Sequence, residues 1–479
     1  MFEVDISGMS PARFRSVLPA ARYEAFERAM EEGRRTLSGR VVWNVNSTAR
    51  GGGVAELLAS LVPYSRGAGA DVRWVVIEGT PEFFTITKRI HNRLHGTPGD
   101  GGPLDDRVRA AYERALADNM TQLAGRVRPG DVVIVHDPQP AGLIGELRRA
   151  GAAVIWRCHV GLDHPNELAR EAWSFLLPYV SEADVFVFSR ESFAWDGLDR
   201  DRIVVIPPSI DVFSPKNEEL SGETVLGVLR ATGIVADEAG AGPATFTRQD
   251  GTPGRVNRRS ELFGTGGVDA RTPVVLQVSR WDALKDPLGV IRGFAEHVPE
   301  LTGAHLIYAG PAVSAVADDP EGLRVLREAI GLWERLPDSQ RPRVHLASLP
   351  MEDAAENATI VNALQRHASV IVQKSLAEGF GLTVAEAMWK SRPVVASRIG
   401  GIESQIVHDD SGLLLDDPRD LKAYGDAVSS LLLDPPRAQQ IGLRARERVR
   451  DEFTSPRSLL DYLAVIKNLL ARPAERAAA

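Results

Sequence analysis

Glu378 and Glu386 stand eight positions apart in "AEGFGLTVAEAMWK", with Gly379, Phe380 and Gly381 directly after the first. The run before them, "SVIVQ", reads as a strand, and a helix is expected from about Leu382 and Thr383. Glycines at that junction bare the backbone N–H groups, and a helix start favours negative charge, so the turn suits phosphate oxygens. Glu386, about one turn into the helix, would repel phosphate, but its carboxylate can accept two bonds from neighbouring hydroxyls, as on a ribose. Glu378, ahead of the helix, can accept from sugar hydroxyls. The pair is expected to flank a diphosphate and grip a polyol on either side. Acids that merely favour a helix N-terminus would give the same residues without a ligand.

Four further strand ends carry chemistry. In "VSRWDALKDP", Arg280 and Lys285 are two cations five apart, a pattern that suits a diphosphate, although basic loop residues are often only solvated. In "NVNSTARGGGVAELL", Gly51, Gly52 and Gly53 follow a strand and open a helix, which would let a ligand reach the backbone. The spacing is not G-x-G-x-x-G, and no acid at the right distance supports a nicotinamide cofactor. In "VIVHDPQP" and "IWRCHVGLDHPN", His136 (followed by Asp137) and His159 end successive strand-like runs and are read as sugar-binding. A metal site is not expected: H-E-x-x-H is absent and the histidines lack a fixed carboxylate partner. Asp199-Arg200-Asp201 reads as turn chemistry, not a magnesium site.

The elements that must carry these residues are short Val/Ile-rich runs alternating with helical patterns. "RVVWNVNS", "VRWVVIEG", "DVVIVHD", "AAVIWRCHV" and "ADVFVFS" look like strands covered on both faces. The pattern restarts after about residue 270 with "PVVLQVSR", "AHLIYAG", "RVHLASL", "SVIVQKS" and "PVVASR". Two doubly wound α/β domains follow, in which ligands sit at the carboxyl ends of strands. The boundary is placed at "IPPSIDVFSPKN", giving domains 1–210 and 211–455. Residues 233–267, rich in Gly, Thr, Asp and Arg, show no period and are read as a long mobile loop. "SPRSLLDYLAVIKNLLARP" is an amphipathic helix, so 456–479 is assigned back to the first domain, with a frayed "AERAAA" end.

Composition narrows the class. The chain has 479 residues, 44% of them hydrophobic, and a net charge of −8, which argues against a general nucleic-acid binder. A single cysteine, Cys158, permits neither an internal disulfide nor a cysteine metal cluster. "MFEVDISGMS" does not read as a signal peptide, and no apolar run reaches the roughly 18 residues a membrane span needs. A cytoplasmic protein without membrane or nucleic-acid partners is expected.

The glutamate pair resembles the E-x7-E motif of retaining glycosyltransferases with the GT-B fold (glycosyltransferase family four), and Arg280 with Lys285 resembles that family's cationic pair on the nucleotide diphosphate. Within it, "NSTARGGGVAELL", "VIEGTPEFFTITKRIHNRLHG", "VHDPQP", "WRCHVGLDHPN", "VIPPSIDVFSPKN", "QVSRWDALKDP" and "EGFGLTVAEAMWK" are similar, in order, to blocks of the trehalose glycosyltransferring synthases, over about Val41 to Phe453. The resemblance implies two Rossmann-like domains facing a cleft, with the C-terminal helix crossing back. It implies transfer of glucose from a nucleoside diphosphate glucose to free glucose, reversibly, giving α,α-trehalose with retention of configuration. Arg280, Lys285, Glu378 and His159 would then be catalytic. Gly51–Gly53, Glu78, Lys88, Asn92, His136, Asp137, Gly379–Thr383 and Glu386 would bind substrate. Lys88 and Asn92 lie four apart and so share a helix face. No cofactor is expected beyond Mg2+ as a non-essential activator, and a homodimer is expected. Two departures bear on acceptor choice: Gly161 stands where the branch often carries an acid, which appears instead at Asp163, and the 233–267 insert is long. The competing readings are a retaining trehalose phosphorylase using inorganic phosphate, a related GT-B transferase with another acceptor, and a silent sugar-nucleotide sensor.

Overall fold

The structure, a computed structural model, describes residues 1–49, 52–236, 242–248, 251–264, 266–313 and 320–471. The chain divides into two compact units, Met1–Ser209 with Phe453–Ala479, and Ile210–Glu452.

The first unit is built on β1 (Phe2–Glu3), β2 (Val41–Asn46), β3 (Asp71–Val76), β4 (Val132–His136), β5 (Ala153–Cys158), β6 (Val185–Phe188) and β7 (Ile203–Val205). They pair in the order β1-β3-β2-β4-β5-β6-β7, parallel except for β1. The strand residues alternate between two cores. Trp43, Val45, Val133 and Trp156 enter one, while Val42, Ile134, Ile155 and Val187 enter the other. That double burial explains the near-continuous apolar runs. The helix Ser455–Ala471 closes the second of these cores with Val465, Ile466 and Leu469. Arg457 fixes its start by donating to the carbonyls of Pro207 (2.7 Å) and Pro208 (3.1 Å), and Ser455 meets Ser60 at 2.8 Å.

The second unit holds a hairpin, β8 (Thr245–Thr247) with β9 (Pro253–Arg255), and a sheet of β10 (Glu261–Phe263), β11 (Val274–Val278), β12 (His305–Pro311), β13 (Val344–Leu349), β14 (Val370–Gln373), β15 (Val394–Ser397) and β16 (Leu413–Leu415). Its order is β10-β13-β12-β11-β14-β15-β16, with only β10 antiparallel. In each sheet the order reverses at one point, between β2 and β4 and between β11 and β14. Such switch points open a crevice at the strands' carboxyl ends.

The segment 233–267 differs from the loop read in the sequence. Its described residues include the β8–β9 hairpin and the edge strand β10, and they are tied to the helix Ala354–His367. Arg248 holds Asp353 through two bonds of 3.0 and 2.6 Å, and Glu356 accepts from the backbone N–H groups of Asn257 and Arg258 at 2.6 and 2.8 Å. Three-residue strands are too short to show a period, which is why the sequence reads as irregular. Residues 237–241, 249, 250 and 265 of the segment, and the expected frayed end 474–479, lie outside the described residues. Among the described residues no helix is long and apolar enough to cross a membrane.

Candidate active site

In the second unit the loop after β11 and the loop after β14 are bound to each other. Lys285 Nζ donates to Glu378 Oε2 at 2.5 Å, and both side chains are largely buried. Ser375 Oγ donates to the same oxygen at 3.3 Å. Below this pair lies a buried polar layer. Gln277 donates to the Lys285 carbonyl (2.8 Å) and accepts from the Lys374 N–H (3.1 Å), while Gln373 accepts from Thr383 Oγ1 (3.0 Å). Lys374, wholly buried, pairs with Asp286. Asp286 adopts φ 49° and also caps the helix Pro287–His297 by accepting from the Gly289 N–H at 3.0 Å. Asp tolerates the left-handed region better than most residues, and the lysine and cap hold it there. Arg280 stands apart from this buried set: its side chain is 66% exposed and leans on Asp282 at 2.9 Å.

The helix Leu382–Trp389 starts at Gly381, whose φ of 78° suits glycine. Gly379 has open space where a Cβ would stand, so its backbone can be approached. A second glycine pair supports the turn from behind. A Cβ on Gly400 would fall 1.9 Å from the Glu378 carbonyl oxygen, and the Gly401 N–H donates to the Gly379 carbonyl at 2.7 Å. Phe380 is buried, and its carbonyl accepts from Gln405 at 2.5 Å.

Glu386 sits one turn into that helix but is only 3% exposed. Lys216 Nζ approaches its Oε1 at 3.5 Å. Lys390, buried one turn further on, donates to the Glu386 carbonyl (3.1 Å), Gln365 Oε1 (2.8 Å) and Asn217 Oδ1 (3.0 Å). Burial pulls the Lys390 ammonium down to about 7, with the Glu386 charge opposing.

In the first unit the strand-end histidines meet. His136 Nδ1 and His159 Nε2 are 3.1 Å apart, with the rings stacked 18° from parallel. His136 Nε2 lies 3.1 Å from Asn44 Oδ1, and the Asn44 amide is turned by its own bond to the Arg73 carbonyl at 3.5 Å. That orientation makes His136 Nε2 the donor to Asn44, leaves Nδ1 as acceptor, and makes His159 Nε2 the donor to it. The unprotonated atom of the relay is then His159 Nδ1, which has no hydrogen-bond partner among the described residues. His136 itself is 2% exposed with both ring nitrogens engaged, so it stands behind His159 and orients it, where the sequence reading gave it direct sugar contact. Burial, with the Arg157 charge, pulls His136 down to about 3 and His159 well below its ordinary value, so both are neutral at pH 7. Asp137, at φ 64°, accepts the His159 N–H at 2.8 Å, and burial pushes its carboxyl up to about 6.

The remaining expected residues are more scattered. Gly52 has φ 86° and no Cβ neighbour, and it leads into the helix Gly53–Gly67 without a side-chain cap; Gly51 lies outside the described residues. Glu78 follows β3; its N–H and C=O are both bonded by the Asn119 side chain, at 2.9 and 2.8 Å. Lys88 is exposed and Asn92 half-buried on the helix Pro81–Leu94, and neither bonds to His136 or His159. At Gly161 a Cβ would strike the Phe193 ring at 2.5 Å, so an acid there would displace that ring. Asp163 is instead held by Ser192 at 2.7 Å and Arg190 at 3.5 Å. Asn44, Lys216, Lys374 and Lys390 were not singled out in the sequence. Lys374 and Lys390 lie beside the glycine turn in the chain, but nothing in the string marks them as buried.

Residues 44–195 match the family model described as "Trehalose synthase, N-terminal domain", and residues 355–448 match "Glycosyl transferases group 1". The trehalose synthase of Rubrobacter xylanophilus is 36% identical over 465 residues, covering 96% of this chain and 97% of its own. The chain belongs to the trehalose synthase family. Like other members it is a glycosyltransferase of trehalose chemistry, and its fold is GT-B. Two solved structures share that architecture over 90% of this chain. One is Anabaena HepE in complex with UDP and glucose (TM-score 0.60, 14% identity, 100% of that chain). The other is a UDP-forming α,α-trehalose-phosphate synthase from Burkholderia xenovorans (TM-score 0.63, 16% identity, 100% of that chain). Within a trehalose synthase the grouping of Lys285, Glu378 and the Gly379–Gly381 turn marks the second unit's switch point as the candidate site.

Proposed function

We propose that the chain transfers glucose, with retention, from a nucleoside diphosphate glucose to the anomeric hydroxyl of free glucose, forming α,α-trehalose reversibly. The observation that carries this reading is the Lys285–Glu378 pair beside the Gly381 helix start: a cation, bare N–H groups and a sugar-gripping carboxylate on adjoining strand ends. Membership of the trehalose synthase family supports trehalose as the product. That HepE was solved with UDP and glucose agrees with a nucleotide-sugar donor.

In this reading the second unit holds the donor. Lys285, exposed Arg280 and the helix start stabilise the negative charge gathering on the leaving diphosphate. Glu378 accepts from hydroxyls of the transferred glucose. The acceptor hydroxyl gives its proton to a leaving diphosphate oxygen as the new C–O bond forms on the same face, so catalysis is mainly positioning and charge stabilisation. His159, presenting Nδ1 as an acceptor, binds a sugar hydroxyl at the strand ends of the first unit. No metal is required, so turnover should persist after chelation, with Mg2+ acting only as a non-essential activator. A homodimer remains the expected assembly, to be measured by light scattering.

One observation favours a phosphorylase instead: Glu386, the expected ribose partner, is buried against Lys216. A trehalose phosphorylase has no ribose to hold. An assay panel separates the two. ADP-, UDP- and GDP-glucose are each supplied with glucose, and trehalose with phosphate alone. Trehalose formation from at least one nucleotide sugar supports the proposal. Glucose 1-phosphate release from trehalose without nucleotide, with no nucleotide-dependent synthesis, replaces it.

A further inference from the structure

On the second unit a concavity of about 480 Å³ opens between the helices Pro287–His297 and Pro320–Glu334. Arg292 from the first helix, Arg324 and Arg327 from the second, and Arg335 directly after its last residue line it, with Glu328 as its one acid. Residues 324, 327 and 331 follow helical spacing, so they share one face, and Arg335 sits in the turn that follows, its N–H bonded to the Leu332 carbonyl at 3.1 Å. Arg324 is neutralised by Glu328 at 2.7 Å, the ordinary arrangement on a solvated helix. Arg292, Arg327 and Arg335 are exposed and have neither ion pair nor side-chain hydrogen bond among the described residues. Three unmatched cations thus converge in one hollow of a chain whose net charge is −8.

Gly331 lets the Arg335 guanidinium lie close over the helix, 3.3 Å from where a Cβ would stand, and Leu288 and Leu323 supply apolar wall. Guanidinium groups bind phosphate through paired N–H donors, and the volume is that of a small-molecule pocket. We propose that this hollow binds a phosphorylated small metabolite. Arg292, Arg327 and Arg335 hold its phosphate oxygens, and its uncharged body lies on Leu288 and Leu323. The site is separate from the diphosphate loop, although Arg292 lies on the helix that follows that loop and is capped by Asp286.

Titration calorimetry with fructose 1,6-bisphosphate and with inorganic phosphate tests this on three proteins: the parent, Lys285→Ala and Arg327→Gln/Arg335→Gln. The bisphosphate should bind the parent and Lys285→Ala equally, one per chain. The double arginine variant should bind at least roughly tenfold more weakly, and in the parent affinity should fall with added salt. Glutamine keeps helix propensity, so the variant should show parental circular dichroism and parental transferase turnover. Affinity within about twofold of the parent in the arginine variant would overturn the site, as would loss of binding in Lys285→Ala. Equal affinity for inorganic phosphate would overturn the metabolite class, leaving an ion site. Binding of a polyglutamate peptide without any binding of the bisphosphate would make the surface a protein contact and likewise end the proposal.

Discussion

Lys285 and Glu378 neutralise each other at 2.5 Å, so a substitution of either leaves the other's charge unmatched. Lys285→Ala should cut transferase turnover by about 10²–10³, the usual cost of one lost stabilising donor. Steady-state kinetics that stay close to the parent would remove Lys285 from the chemistry. The histidine relay allows a second residue-level test. His136 falls from about 6.5 unfolded to about 3 folded, so its share of stability is present above pH 6.5 and is lost as pH drops towards 3. Asp137 rises to about 6, so its share is present below its unfolded value near 3.8 and is lost as pH climbs through 6. Between pH 7 and pH 5 the two oppose each other. The fall in melting temperature over that interval should therefore shrink in His136→Asn and grow in Asp137→Asn, by roughly 2–4 °C for each kcal/mol involved. Identical falls in all three proteins would reject the assignment. Lys285 and Glu378 were legible in the string because each adjoins a strand end. The order within the histidine pair was not, because it depends on Asn44, which sits 92 positions before His136 and reaches it only through the pairing of β2 with β4.

At the scale of elements, the turn that opens the helix Leu382–Trp389 is shaped by the start of another helix, Gly400–Gln405. Gly400 has φ 48° as well as its Cβ conflict with the Glu378 carbonyl. Gly400→Ala should push the Glu378 loop off Lys285. Turnover should fall at least about tenfold while far-ultraviolet circular dichroism stays parental, since a misplaced catalytic group costs rate before it costs fold. Parental kinetics in a folded Gly400→Ala protein would show that the loop tolerates the shift. The five inner strands of each sheet were readable from the chain because doubly covered parallel strands give long apolar runs, whereas the short edge strands β1 and β16 were not. The hairpin and edge strand within 233–267 were not, since they take their place from Arg248–Asp353 and Glu356 rather than from any pattern of their own.

For the whole molecule, the second unit is one continuous stretch, while the first is assembled from Met1–Ser209 and the chain after Glu452. Calorimetry of the full chain should resolve two transitions, since separate cores unfold separately. Saturating nucleoside diphosphate at about 100 times its dissociation constant should raise only the one belonging to Ile210–Glu452, stabilising that unit by about 2.7 kcal/mol. A shift confined to the other transition would place the nucleotide on the first unit. The discontinuity also bears on how the protein is made. Val42, Leu58 and Val62 find their cover in Val465, Ile466 and Leu469, more than 390 residues downstream. On the ribosome that apolar face must wait, uncovered, while all of Ile210–Glu452 is synthesised and free to fold, a delay of about 12–50 seconds at synthesis rates of roughly 5–20 residues per second. During that interval the nascent chain presents a sticky half-finished sheet, so truncated or stalled products, rather than the finished enzyme, should be the species that chaperones hold and proteases clear.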